Sequence, residues 1–218
     1  MPQINIKKDA VFTEYVWSCE MPDHEHWKKQ LKQIALVEEA EYTKFSTRPG
    51  YPCNVKALRT SWNSHLKFPA INNICNIICN DLLVPLLKYE ELEAQHVKIM
   101  DSWLNIYKQD NYTDVHAHPP SFLSFVYFVK LPKKDCKFYF HNNDFVKFTK
   151  KDKTRADIKE YNAKEGMVLF FNGSTYHSVS KSETNEKRLT LAGNTYPIYK
   201  DSQSNPDFKP DNRPENVS

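Results

Sequence analysis

Glycine is scarce in this sequence, with four residues in 218. A phosphate loop of the form GxGxxG or GxxxxGK[ST] cannot be found anywhere in it, which excludes the common glycine-rich nucleotide sites. A surplus of one charge is also lacking, because 30 lysines and arginines stand against 27 aspartates and glutamates, for a net charge of +3. This near balance argues against an electrostatic nucleic-acid binder, which usually carries a strong basic surplus.

Paired cysteines and long apolar runs are missing as well. The five cysteines are irregularly spaced and form no CxxC motif, so we expect reduced thiols in a cytoplasmic protein. The N-terminus has no apolar stretch of the kind found in a secretory signal. The most apolar region, residues 71–87, is interrupted by asparagines, Asp81 and Pro85, so we do not expect it to span a membrane.

What the sequence does contain is enough to build a core, since 40% of its residues are hydrophobic and 13% are aromatic. A strand is predicted within residues 11–19, and Asp23 suits the N-cap of a helix whose apolar residues recur at helical spacing. A second helix is predicted over residues 71–83, and Pro85 should end or kink it.

From residue 99 onward the pattern changes to short strands separated by polar connections. The predicted strands are 99–107, 122–131, 137–140, 167–171 and 188–196. Residues 147–161 are interpreted as one of the polar connections. We therefore predict a mainly β, α+β fold of the jelly-roll type with N-terminal supporting helices. Its parts are an N-terminal elaboration over 1–98, a β core over 99–200 and a flexible tail over 201–218.

Two histidines in the segment 112–120 are the first candidates for chemistry. His116 and His118 are two residues apart, so in a strand both side chains point to the same side, and Pro119 then ends the strand. Imidazoles on one strand face suit a first-row transition metal. Asp114 would share that face, so a site of two histidines and one carboxylate could recruit it instead of His118.

A third imidazole, His177, follows a buried strand and a turn, and Arg188 opens a later strand. Two interpretations of Arg188 are open. It could lie at a solvent-exposed strand end, or it could point inward. In the barrel an inward guanidinium would be costly without an anion, and it could bind a carboxylate through two hydrogen bonds.

Together these motifs resemble the Fe(II)/2-oxoglutarate-dependent oxygenases, in particular the group with an HxH-Pro core. The resemblance covers residues 103–196 and includes a Trp-x-Asn lead-in at Trp103 and Asn105, with a weaker echo at residues 58–64. It implies a double-stranded β-helix that binds one Fe(II) through His116, His118 and His177, with Asp114 as the alternative to His118. Most of the superfamily has Asp or Glu where this chain has His118.

The resemblance also implies the cosubstrate and the reaction. The far carboxylate of 2-oxoglutarate would bind Arg188, with help from a nearby hydroxyl or amide; the candidates are Tyr127, Tyr107, Thr190 and Asn194. The reaction would use O₂ and convert 2-oxoglutarate into succinate and CO₂ while oxidising a primary substrate, most simply by hydroxylation. Substrate specificity is expected in residues 47–64 and 135–161. A homodimer is expected from base rates alone.

Two alternatives remain at this point. One is a cupin-type dioxygenase with three histidine ligands, which binds iron without 2-oxoglutarate and has no use for Arg188. The other is a non-enzymatic jelly-roll protein, which would have incidental histidines and no inward arginine.

Overall fold

The computed structural model describes residues 5–11, 14–41, 54–133, 137–142 and 158–199. The tail predicted for residues 201–218 lies outside this part of the chain. So do residues 47–53 and most of 135–161 from the two segments in which substrate specificity is expected.

Strands dominate the described residues. They are β1 (Lys7–Val11), β2 (Glu14–Glu20), β3 (Val55–Lys56), β4 (Leu58–Arg59), β5 (Ala94–Tyr107), β6 (Tyr112–His116), β7 (Leu123–Lys130), β8 (Phe138–His141), β9 (Ile158–Tyr161), β10 (Met167–Asn172), β11 (His177–Val179) and β12 (Arg188–Tyr199). The helices are α1 (His24–Glu41), α2 (Ser64–Lys67), α3 (Pro69–Ile77) and α4 (Val84–Tyr89), with a π-helical turn at Ile78–Leu83 between the last two.

The strands form two antiparallel sheets. The large sheet has the order β1-β2-β10-β7-β12-β5-β4, and the small sheet has the order β3-β6-β11-β8-β9. Together with the N-terminal helices, this architecture confirms the predicted mainly β jelly-roll class. Residues 147–161 were expected to form a polar connection, but β9 lies at its end; the segment is too polar to suggest a strand.

Residues 1–98 take part in both sheets. They supply β1, β2 and β4 to the large sheet, β3 to the small sheet, and the first residues of β5. The short segment from β3 to β4 therefore passes from the edge of one sheet to the edge of the other. In this crossing Arg59 pairs with Asn105 of β5.

The large sheet separates two apolar clusters, as the two-residue period of a strand requires. Leu104 and Ile106 of β5 pack in the cluster that includes the helices, whereas Trp103 and Tyr107 pack in the cluster between the sheets. The same alternation continues in the neighbouring strands. The inner cluster holds the site.

The helical segment 69–89 differs from its prediction. Pro85 was expected to end or kink a helix over 71–83, but α4 continues to Tyr89 with Pro85 in its first turn. The π-helical turn just before it accommodates the proline: the N–H of Val84 donates to the carbonyl of Cys79, five residues back.

This segment, Pro69–Tyr89, is the one helix among the described residues that is long and apolar enough to cross a membrane, judged by length and composition. The interruptions noted in the sequence therefore do not exclude a span on those grounds. Half of its most apolar stretch is buried inside the fold, where Ile71, Ile74 and Ile78 are fully enclosed.

Two lysines hold the end of α1 against the sheets. The carboxylate of Glu39 lies 3.1 Å from Lys108 Nζ and 2.6 Å from Lys187 Nζ. Burial raises the pKa of Glu39, but the hydrogen bonds from Lys187 and Lys108 outweigh it and lower the pKa overall. The contact joins α1 to the residues that follow β5 and precede β12.

We expect Glu39→Gln to lower the free energy of unfolding by about 0.5–1 kcal/mol at pH 7. A carboxylate with a lowered folded-state pKa adds stability above its unfolded-state pKa of about 4.3, and the gain disappears as the pH falls through the folded-state value. The difference from the wild type should therefore be smaller at a pH of about 3 than at pH 7, as measured by urea unfolding at both. Glu93→Gln, at an exposed position, is the control. An equal loss at both pH values would contradict the prediction.

Candidate functional site

A cavity lies between the two sheets, on the inner face of the large one. Its wall includes three histidines from the small-sheet side and polar residues from β5 and β12. These residues are His116, His118, His177, Trp103, Asn105, Tyr107, Arg188 and Thr190.

The register of the small sheet brings the histidines together. His116 ends β6, His177 begins β11, and the two residues are direct partners in the antiparallel ladder. The sequence suggested that His118 lies within this strand, but it lies two residues beyond β6. Its backbone N–H donates to the carbonyl of Gly173 at 2.6 Å. One ring nitrogen from each histidine falls within 4.8 Å of the others.

Backbone carbonyls fix the tautomer of two of these rings. His116 Nδ1 lies 2.8 Å from the carbonyl oxygen of Asp114, and His177 Nδ1 lies 2.9 Å from that of Thr175. A carbonyl only accepts, so each Nδ1 carries the proton and each Nε2 keeps a free lone pair. The hydroxyl of Thr175 in turn donates to the carboxylate of Glu14 on β2. Such outer contacts orient metal-binding histidines in proteins.

The surroundings also keep these imidazoles neutral. Burial lowers the pKa of His116, despite the opposing effects of the Asp114 carbonyl and carboxylate. Complete burial, together with the neighbouring rings of His116 and His118, lowers the pKa of His177 well below its usual value. A neutral imidazole is the form that donates a lone pair to a metal.

Asp114 is not part of this cluster. Between the pairs His177–His116 and Val179–Thr113, β6 advances by three residues while β11 advances by two. This bulge breaks the strict alternation, so Thr113 and His116 both face the cavity and Asp114 is exposed. This structure therefore places the alternative ligand Asp114, which assumed a regular strand, outside the cluster.

Arg188 points inward and is only 2% exposed. All three of its guanidinium nitrogens are buried without a hydrogen-bond partner. The rings of Tyr107 and Phe128 lie nearby, with the guanidinium carbon 5.2 and 5.6 Å from their centroids. A buried cation without an anion is costly, so the cavity is electrostatically prepared for a negatively charged ligand.

Two of the four residues expected beside Arg188 line the cavity. Tyr107 and Thr190 face it, and the Tyr107 hydroxyl lies 2.7 Å from the hydroxyl of Thr113. Asn194 is buried beyond the lining, with its amide held by Ser124 at 2.7 Å and by Asp101 at 2.8 Å.

The expectation for Tyr127 is wrong. Tyr127 points to the helical side of the large sheet, where its hydroxyl lies 2.6 Å from His24 Nδ1. Alternation along β7 gives the reason, because Val126 and Phe128 on either side of it pack in the inner cluster.

Sequence reasoning assigned no role to two polar residues of the wall. Asn105 and Trp103 belong to the Trp-x-Asn lead-in, and both line the cavity. Asn105 Oδ1 and Trp103 Nε1 are buried without hydrogen-bond partners. Counting back from Tyr107 in steps of two identifies both, so the strand period was the available signal.

We expect Arg188→Met to stabilise the ligand-free protein by about 1–3 kcal/mol, because an apolar side chain of similar size removes an unpaired buried charge. Urea unfolding in a buffer without multivalent anions measures the effect. Lys159→Met, at an exposed position on β9, removes the same charge without the burial and should change little. Destabilisation by Arg188→Met would show that the guanidinium has a structural role.

Comparison with known proteins agrees with this geometry. Residues 101–194 match the family model described as "Putative 2OG-Fe(II) oxygenase". This segment contains His116, His118, His177 and Arg188. A comparison with curated proteins finds no match.

Solved structures of low sequence identity share the fold. A prolyl-4-hydroxylase from Pseudomonas putida aligns with a TM-score of 0.57 and 13% identity, over 89% of this chain and 93% of that one. HygX from Streptomyces hygroscopicus, solved with nickel and 2-oxoglutarate bound, gives 0.59 and 11% over 84% and 82%. The collagen prolyl hydroxylase vCPH from Paramecium Bursaria Chlorella virus-1, a 2-oxoglutarate complex, gives 0.54 and 10% over 85% and 98%.

The family match covers the strands that carry the histidine cluster and Arg188, and the fold likeness extends over most of the chain. We conclude that residues 101–194 are similar to the 2OG-Fe(II) oxygenase family and that the chain shares the fold of these solved structures.

Proposed function

We propose that this protein is an oxygenase that uses Fe(II) and 2-oxoglutarate to oxidise, by hydroxylation, an organic substrate. The observation that carries the proposal is Arg188, a fully buried and unpaired guanidinium that shares one cavity with three clustered imidazoles. A cation that requires an anion, placed across from a metal-binding arrangement, fits a cosubstrate with two carboxylates.

The imidazole cluster fits a divalent first-row metal. His116 and His177 present Nε2 lone pairs, and both remain neutral at neutral pH for the reasons given above. We assign His118 as the third ligand, because its ring nitrogen completes the cluster and the Asp114 carboxylate does not. Three neutral ligands leave the full charge of the metal to attract an anionic cosubstrate.

The cavity wall fits 2-oxoglutarate as well. Arg188 would pair with the carboxylate farther from the metal, through the two-pronged geometry of a guanidinium. Thr190 and Tyr107 line the wall next to Arg188 and offer hydroxyls. Asn105, which pairs with Thr190 across the β5–β12 ladder, would use its amide on the part of the ligand nearer the metal.

When bound, iron and 2-oxoglutarate supply the oxidising chemistry: O₂ is consumed and the cosubstrate is converted into succinate and CO₂. The chain itself would position the metal and the cosubstrate and would exclude water from them. Phe138 and Phe171 pack against the ring of His177, which is 3% exposed, so the distal side of the cluster is dry. A dry wall strengthens the electrostatic contacts that hold the cosubstrate.

One observation favours a second candidate, a three-histidine dioxygenase that works without 2-oxoglutarate. The donor set consists of imidazoles alone, as in that class. Arg188 has no role in such an enzyme, and its unpaired burial is the reason we prefer the first proposal. The non-enzymatic alternative expected no inward arginine, so the placement of Arg188 also weighs against it.

The first test is spectroscopic. Under anaerobic conditions, adding Fe(II) and then 2-oxoglutarate should produce a weak visible charge-transfer band in the wild-type protein. His177→Ala should lose iron and the band together. Arg188→Ala should retain iron and lose the band at the 2-oxoglutarate concentration that saturates the wild type. His96→Ala, at an exposed position on β5, is the control and should behave like the wild type.

The outcomes separate the candidates. Wild-type protein that binds iron without the band would support the three-histidine dioxygenase. Protein that binds neither ligand would leave only a jelly-roll binding protein.

The third ligand can be tested separately. We expect His118→Ala to weaken Fe(II) binding by more than the roughly 10–100-fold that loss of an outer contact costs. His118→Asp should retain binding, because a carboxylate is an acceptable ligand at this position. Asp114→Asn should leave binding unchanged, since this side chain faces solvent. Equilibrium titration with Fe(II) measures all three variants, and a large loss in Asp114→Asn with none in His118→Ala would overturn the assignment.

A further inference from the structure

A second arginine lies on the inner side of the large sheet, outside the site described above. Arg59 of β4 is the ladder partner of Asn105, and residues paired directly across an antiparallel ladder project to the same face. Its neighbour Leu58 packs with the helical cluster on the other face, as alternation requires. Arg59 therefore lies on the inner face of the sheet, beside the cavity-lining Asn105 and nearer the edge.

This guanidinium is held in place but not neutralised. Its central carbon lies 3.7 Å from the centroid of the Trp62 ring, a close stacking contact. Within the described part of the chain its hydrogen bond is one from Nη1 to the carbonyl of Thr60, at 3.3 Å, and it contacts no carboxylate. A guanidinium has five N–H donors, so most of them remain for a ligand. Stacking on the Trp62 ring fixes the plane of the guanidinium and leaves its N–H edge available to a ligand.

Aromatic contacts connect this arginine to the histidine cluster. The ring centroids of Trp62 and Trp103 are 4.5 Å apart, and those of Trp103 and His118 are 5.7 Å apart. Trp103 lines the cavity, and its buried indole N–H has no hydrogen-bond partner. The Arg59 guanidinium and the Trp103 indole N–H are both hydrogen-bond donors. A ligand that contacts both must therefore accept hydrogen bonds.

We propose that Arg59, Trp62 and Trp103 form a substrate subsite that binds an anionic group, a carboxylate or a phosphate, on the primary substrate. This proposal rests on the proposed function, because it places that anion beside the histidine cluster. Arg59 would pair with the anion through its free edge, Trp103 would donate its N–H, and the indole faces would hold the adjoining part of the substrate. Residues 58–64 also lie within a segment in which the sequence predicted specificity.

The two arginines differ in burial, and this difference suits two different ligands. Arg188 is completely enclosed, as suits a cosubstrate that fills the interior. Arg59 and Trp62 are half-buried, as suits a substrate that enters from outside and projects beyond the cavity. Saturating 2-oxoglutarate would occupy Arg188 and leave Arg59 as the cation for a second anion.

The test measures small probes against the protein loaded with Zn(II) and saturating 2-oxoglutarate. Benzoate and phenyl phosphate carry the two anionic groups, and benzamide and benzyl alcohol are their neutral counterparts. In the wild type we expect at least one anion to bind about tenfold or more tightly than its neutral counterpart, by isothermal titration or ligand-observed NMR. The better of the two anions identifies the group.

The variants locate the effect. Arg59→Met keeps the stacked stem and should lose the preference for the anion, whereas Arg59→Lys should keep part of it. Lys98→Met removes the same charge at an exposed position of β5 and should bind like the wild type. Unchanged affinity for 2-oxoglutarate in each variant shows that the fold and the inner site are intact.

Three results would overturn the proposal: equal binding of anions and neutral probes, no binding of either, or an anion preference that survives Arg59→Met. Failure of the proposed function would look different, because wild-type protein would then bind no 2-oxoglutarate. In that case the same probes are measured on the metal-free protein, where an anion preference that depends on Arg59 would leave a binding site without the oxygenase.

Discussion

The pairing of β6 with β11 is the constraint on which the site depends. His116 faces His177 across this ladder because the two strands run antiparallel in a fixed register, and a one-residue slip would turn one imidazole away from the other. The bulge in β6 then sets which neighbours accompany them. It turns Thr113 inward and Asp114 outward, so a single extra residue decides that the cluster is built from imidazoles alone.

Arg188 is a buried charge, and no carboxylate among the described residues offsets the free-energy cost of burying it. The large sheet could place an apolar residue at this position, as it does at Leu189 and Leu191 on the opposite face. Instead it encloses a guanidinium with all of its nitrogens unpaired, and aromatic rings are its nearest neighbours. A buried, unpaired charge costs stability, and the same charge would favour an anion that enters the cavity. A ligand can recover most of this cost only if its negative charge reaches Arg188.

The sequence predicted regular features well and irregular ones poorly. Strand periodicity correctly predicted the jelly roll, but it left open whether Arg188 points inward, which only the structure shows. Periodicity failed at the β6 bulge, because nothing in the residues around Asp114 marks where the alternation breaks. It also failed at the π-helical turn before Pro85, where a local change in helix geometry accommodates a residue that usually ends a helix. The wrong expectation for Tyr127 has another cause: it followed residue chemistry, whereas the alternation of β7 would have assigned this side chain to the other face.

The segment that crosses from β3 to β4 supplies side chains near the cavity that the core strands do not supply. It adds Arg59 to the inner face of the large sheet beside β5, and the segment that follows places Trp62 against Trp103. In the proposed function, the enclosed cation is Arg188 of β12, and the metal ligands are His116 of β6, His177 of β11 and His118 just beyond β6. The additional guanidinium comes from a short edge segment that can change without altering the sheet register. Under these two proposals, the chemistry and the choice of substrate depend on different parts of the chain: the three histidines and Arg188 serve the chemistry, and residues 58–62 serve the substrate.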